Sequence, residues 1–156
     1  MVTKEQPQQH DNVNMPAQRS NALRAVEQRL RTLDIEQNEK LGQHFLIDDF
    51  SLGSMAGEVE AGANVIEVGA GVGQLTELLA QRADQVAAIE IDRRFEEVLL
   101  ELQLQYPNLE VIYGDALTVK LGQLVRKLEA GEHTVQIIAN LPYHITEPFM
   151  HQTAGL

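Results

Sequence analysis

Residues 64–76 read Asn64-Val65-Ile66-Glu67-Val68-Gly69-Ala70-Gly71-Val72-Gly73-Gln74-Leu75-Thr76, and the fold is decided by how this stretch changes character. Its first five residues are strand-like, with Val and Ile in succession. Glycines at 69, 71 and 73 then free the backbone, and Leu75, Leu78 and Leu79 begin a helical spacing. A strand that passes through glycines into a helix lets backbone N–H groups approach a ligand closely.

The same alternation recurs outward from this point. Gln85–Ile91, Leu109–Tyr113 and Thr134–Ala139 are further short runs rich in Val and Ile. Between them lie helically spaced segments, Gly73–Arg82, Arg94–Gln105 and Leu117–Leu128. Strand onsets fall 21 to 25 residues apart, the length of a βα unit, so the pattern predicts β-α-β-α-β-α-β with a parallel sheet and right-handed crossovers. The continuously apolar run Val135-Gln136-Ile137-Ile138-Ala139 fits a strand covered on both faces. The fold class is α/β.

Towards the amino end, the sequence predicts a helix over 49–59 that starts after Asp48, and a glycine-centred loop precedes it, Leu41-Gly42-Gln43-His44-Phe45-Leu46-Ile47. Leu23, Val26, Leu30 and Leu33 form one stripe of a short helix over about 21–32, with Ser20 as N-cap. Residues 1–20 are rich in Gln, Asn and Pro with little to bury, which predicts a disordered leader. The division is thus a polar leader, 1–20, an N-terminal helix and linker, 21–40, and one α/β domain, 41–156.

The 156 residues carry a formal charge of −11, have no cysteine, and contain no apolar run of membrane-spanning length. Disulfides, thiolate nucleophiles and zinc–thiolate sites are therefore excluded. The start of the chain lacks the apolar core of a signal peptide, and the expectation is a soluble cytoplasmic protein. Residues 1–40 hold six basic and six acidic side chains, so the whole net charge lies in the remainder. A field of that sign repels phosphate backbones and, taken alone, argues against nucleic acid.

Position 90 restores a ligand with phosphate-free chemistry. Glu90 ends the second strand, 21 residues after Gly69, where a carboxylate can accept both hydroxyls of a ribose. The dinucleotide fingerprint needs a third glycine at position 74, where this chain has Gln74. Glu67 ahead of the loop favours a cationic cofactor over a pyrophosphate, and S-adenosylmethionine, with its sulfonium and ammonium groups, fits. Asp115, after the third strand, stands where it can bond the adenine amino group or cap the following helix.

The fourth strand leads into Asn140-Leu141-Pro142-Tyr143. The Asn140 amide oxygen and the Leu141 carbonyl can accept both protons of an exocyclic amine, which turns the nitrogen lone pair towards an incoming methyl group. Pro142 fixes the turn and Tyr143 offers a stacking face. The alternative is a strand-ending turn with a core tyrosine. None of the five histidines shows paired metal-ligand spacing, and no metal is expected.

Five motifs in order, Leu41–Leu46, Glu67–Thr76, Glu90–Arg93, Gly114–Leu117 and Asn140–Tyr143, resemble those of the ribosomal RNA adenine dimethyltransferases. The resemblance implies a Rossmann-like S-adenosylmethionine methyltransferase fold. It places His44 and Leu46, Gly69 and Gly71, Glu90 and Asp115 around the cofactor. Asn140 lies between cofactor and substrate, and Leu141, Pro142 and Tyr143 handle the target base.

The implied reaction is double methylation of the 6-amino group of adenosine in small-subunit ribosomal RNA, with the rRNA or a pre-ribosomal subunit as partner and a monomeric full-length enzyme. Members of the family continue beyond the Asn-Pro turn, so the resemblance also implies an incomplete sheet of four strands, an absent C-terminal helical domain, and an uncovered outer edge on the fourth strand. Activity of the short chain alone stays open. So do two other readings: methylation of large-subunit rRNA, as in macrolide resistance, or of DNA adenine, and a non-catalytic cofactor-binding or ribosome-assembly module.

Overall fold

The structure is a computed structural model. It describes residues 28–32, 49–130, 133–141 and 143–155, without the side chains of Asp49 and Tyr143. Residues 28–32 form a helical turn. The elements that follow are α1 (Asp49–Gly57), β1 (Asn64–Val68), α2 (Gln74–Ala80), β2 (Val86–Glu90), a 3₁₀ turn (Arg93–Phe95), α3 (Glu96–Gln105), β3 (Leu109–Tyr113), α4 (Leu121–Leu128), β4 (Val135–Ala139) and α5 (Tyr143–Thr153).

The four strands form one parallel sheet in the order β3-β2-β1-β4. The pattern predicted from the sequence is therefore present, with β1 and β3 at the expected residues and the helices trimmed at their ends. The chain moves outward from β1 to β2 and β3, then returns to place β4 on the other side of β1. Open α/β sheets bind ligands at such a reversal, in the crevice at the carboxyl ends of the strands.

Alternation within β1 divides the core. Val65 faces a cluster with Leu52, Ala56, Leu75, Leu79, Phe95 and Leu99, whereas Ile66 and Val68 face a second one with Leu121, Leu124, Val125, Leu128 and Phe149. β1 and β2 are buried along their whole length, as strands with helices on both faces should be. β4 is only half-buried throughout. It lies at the edge of the described sheet, with Ile138 packed on the first cluster and Val135, Ile137 and Ala139 on the second, so both of its faces meet core and its half-burial goes with the edge position.

The sequence pattern gave no sign of α5. Pro148 sits inside it, where proline removes one helical hydrogen bond and crowds the carbonyl four residues earlier. Phe149, 3% exposed and packed in the second cluster, supplies the burial that holds this helix nonetheless.

Two asparagines fasten the opposite, amino edge of the sheet. Buried Asn64 donates its amide to the Leu128 carbonyl at the end of α4, at 2.6 Å. Asn108 donates to the carbonyls of Ala80 and Ala83, at 2.9 and 3.1 Å, where α2 ends. Each satisfies carbonyls that a helix terminus leaves without a partner. Among the described residues no helix is long and apolar enough to cross a membrane.

Candidate cofactor and methyl-acceptor site

Parallel strands in register bring their carboxyl ends to one edge, which aligns the predicted residues. Val68 pairs with both Ile89 and Ala139, and Glu90 pairs with Tyr113. Three backbone bonds stitch the exits together: Gly69 N–H to the Ile89 carbonyl at 2.9 Å, Gly114 N–H to the Glu90 carbonyl at 2.9 Å, and Asn140 N–H to the Val68 carbonyl at 3.2 Å. Gly69, Gly71, Glu90, Asp115 and Asn140 therefore share one edge. His44, Leu46 and Pro142 lie outside the described residues, as does the Tyr143 side chain.

The loop after β1 is left-handed at all three glycines, with φ of 89° at Gly69, 54° at Gly71 and 78° at Gly73. A Cβ on Gly69 would stand 3.1 Å from the Asn140 carbonyl oxygen, so the absence of a side chain lets the β4 exit close against the loop. A Cβ on Gly73 would collide with Leu102 of α3.

Glu90 is 5% exposed, and each of its carboxylate oxygens is fixed by the backbone. Oε2 accepts from Gly71 N–H at 2.7 Å and Oε1 from Asp92 N–H at 2.8 Å. Burial raises its pKa above the ordinary value, and the bonds from Asp92, Gly71 and Ile91 pull it back. Asp92 in turn accepts from Arg94, whose Nη2 lies 2.6 Å from Oδ2, so the β2 exit is a braced turn.

Glu67 is different. It is 1% exposed, and neither carboxylate oxygen has a hydrogen-bond partner. Burial pushes its pKa up to about 7; the Thr76 side chain opposes the rise and the charge of Glu90 adds to it. The Thr76 hydroxyl and Gln74 Nε2 are likewise buried without a hydrogen bond of good geometry, although Thr76 is close enough to Glu67 to hold down its pKa. That donor and acceptor set, beside the glycines, is suited to a polar ligand.

The other half of the edge is more open. Asp115 is half-buried and caps its own turn, Oδ1 accepting from Leu117 N–H at 2.9 Å, so the capping role weighed from the sequence is present, while α4 itself begins later, at Leu121. Asn140 is exposed, and Leu141 packs on the second core cluster. Three features at this edge escaped the sequence reading. Ile91 is 52% exposed directly after Glu90, the Arg93 guanidinium lies 5.0 Å from the centre of the Tyr113 ring, and Arg29 bonds the Val72 carbonyl at 3.3 Å. An apolar residue directly after a strand-ending acid is a signal for the first; the other two depend on pairings remote in sequence.

Residues 35–155 match the family model described as ribosomal RNA adenine dimethylase. The chain belongs to that family. Curated relatives include ribosomal RNA small subunit methyltransferase A of Alkaliphilus oremlandii, 43% identical over 115 residues, covering 72% of this chain and 40% of the relative. The protein of the same name from Ligilactobacillus salivarius is 41% identical over 123 residues, covering 78% and 42%. The chain thus spans about two-fifths of the length of these relatives.

Solved structures agree with the four-stranded Rossmann-like fold. A dimethyladenosine transferase from Plasmodium falciparum superposes with a TM-score of 0.59 at 28% identity, covering 72% of this chain and 39% of that one. The 23S rRNA methyltransferase ErmE gives 0.56 at 33% identity, covering 69% and 41%. Among the described residues no group of three or more His, Cys, Asp or Glu side chains is placed to hold a metal ion.

Proposed function

We propose that this dimethylase chain binds S-adenosylmethionine along the edge formed by Gly69, Gly71, Glu90 and Asp115, and serves methyl transfer to the 6-amino group of adenosine in small-subunit ribosomal RNA, twice per target. One observation carries the reading: Glu90 is held by Gly71 N–H and Asp92 N–H, beside a left-handed glycine loop that abuts the Asn140 carbonyl. An acid oriented by backbone donors keeps lone pairs for a ribose, and the contact between loop and β4 exit sets a methyl donor next to an amine acceptor. The orphaned Glu67, Gln74 and Thr76 support a polar, cationic cofactor on the same loop. His44 and Leu46 complete the proposed cofactor set.

The cofactor, when bound, supplies an electrophilic methyl on a sulfonium. Asn140 and the Leu141 carbonyl accept the two amine protons, so the nitrogen lone pair faces the methyl carbon. Formation of the N–C bond would be matched by cleavage of the C–S bond, leaving a neutral thioether, and the amine would pass one proton to solvent. Pro142 shapes the turn and Tyr143 stacks the base, which must leave its own stack to enter. Rate then comes from alignment and preorganised acceptors.

Calorimetric titration with S-adenosylhomocysteine tests the cofactor half. Binding should be lost in Gly69→Trp and weakened at least tenfold in Glu90→Ala; wild-type affinity in both refutes it. For the transfer half, the chain supplied with labelled cofactor should label small ribosomal subunits, and Asn140→Ala should abolish the signal. The likeness to the 23S rRNA methyltransferase favours a second reading, in which large subunits are labelled instead.

A further inference from the structure

We propose that Arg29 is a positioning residue for the cofactor loop, holding the Val72 peptide from the side opposite β2, so that the N-terminal helical turn and the cofactor site are one coupled unit. The inference rests on the cofactor reading above and assigns a role to a residue 43 positions before the loop.

The loop's own bonds all lead one way. Gly69 N–H and Ala70 N–H donate to the Ile89 carbonyl, Gly71 N–H donates to Glu90, and Gly73 N–H closes a turn onto the Ala70 carbonyl. These draw the amide side of the loop towards β2. Three left-handed glycines leave the remaining peptides soft, because glycine crosses between φ regions with little steric cost. Rotation of the peptide after Val72 would change the left-handed φ of Gly73 and tilt the start of α2.

Arg29 opposes that rotation. Its Nη1 donates to the Val72 carbonyl at 3.3 Å, a charge-assisted bond, stronger than a neutral one. The Arg29 side chain is half-buried, and Leu30 beside it packs on the core cluster that contains Val72 and Leu75. Thr32 bonds back to the Gln28 carbonyl at 2.8 Å, which keeps the turn wound. A seated turn carrying a forked donor thus reaches the Val72 carbonyl, which lies between two left-handed glycines, while the Ala70 carbonyl is taken by Gly73 N–H.

Titration of S-adenosylhomocysteine into the full chain, with amide exchange read over residues 70–74, tests this. Arg29→Ala should weaken binding roughly tenfold and speed exchange in the loop, a coupling of ordinary size. Arg29→Lys, which keeps a charged donor, should recover most of the affinity, and Arg29→Gln should fall between. If Arg29→Ala does not fold, the lysine and glutamine variants carry the comparison, and equal affinity in both overturns the proposal. A folded Arg29→Ala with a lower melting temperature but wild-type affinity and loop exchange also overturns it, because the arginine would then merely anchor the turn. Failure of the wild type to bind refutes the cofactor reading and this inference with it. Tight binding by the wild type with no response at Arg29 refutes this inference alone.

Discussion

The two halves of the carboxyl edge are built on different terms. At the exits of β1 and β2 the strands are fully buried, the glycines are left-handed, and Glu90 is bonded at both oxygens. At the exits of β3 and β4 the strands are largely half-buried, Asp115 uses one oxygen on its own turn, and Asn140 is exposed. On the proposed reading a cofactor suits the closed half, which is finished in the fold, and an acceptor base suits the open one. The contrast predicts that substitutions at Gly69, Gly73 and Glu90 act on folding and cofactor affinity together, that loss of Asp115, which caps its own turn, has a small effect on stability, and that Asn140 acts on transfer alone.

The largest effect should come from Gly73→Ala. A left-handed φ costs a side chain about 1–2 kcal/mol, and the new methyl meets buried Leu102, so a loss of about 3 kcal/mol is expected in denaturant unfolding. A cost below about 1 kcal/mol would show the closed half to be looser than described.

Glu67 gives a comparable effect that appears only with pH. Its folded pKa of about 7 exceeds the ordinary carboxylate value of 4.5, so the native state holds a proton that the unfolded chain releases. Stability therefore falls as pH rises from about 4.5 to about 7, by about 3 kcal/mol from this group. Glu67→Gln should remove that share of the slope and raise the melting temperature at pH 8 relative to the wild type. An unaltered slope would mean that Glu67 is ionised and paired in the folded protein.

Asp115→Ala should cost about 1 kcal/mol, the worth of a lost cap at Leu117 N–H. Asn140→Ala should change stability by less than about 0.5 kcal/mol, since its side chain is exposed, yet leave no methyl transfer. A large stability loss at Asn140 would erase the distinction between the two halves.

Much of this division was legible in the sequence, for identifiable reasons. The strands β1 and β3 stand where short runs of Val and Ile put them, β1 buried along its whole length and β3 only in part. Gly69, Gly71 and Glu90 were legible because a parallel βα unit fixes their separation along the chain. The helix Tyr143–Thr153 was hidden by Pro148, whose local cost is offset by Phe149 in the core, a contact that no local rule reports. The missing partners of Glu67 and the reach of Arg29 were hidden for the same reason: both depend on which distant side chains share a space.

The asparagine clasps at the amino edge have an evolutionary consequence. Asn64 and Asn108 close helix ends on the side of the sheet away from Gly69, Gly71, Glu90, Asp115 and Asn140. The exit turns after β3 and β4 can consequently accumulate substitutions while the clasps keep the scaffold assembled. A scaffold fastened at one edge and variable at the other is a plan on which the open edge can diversify without loss of the fold.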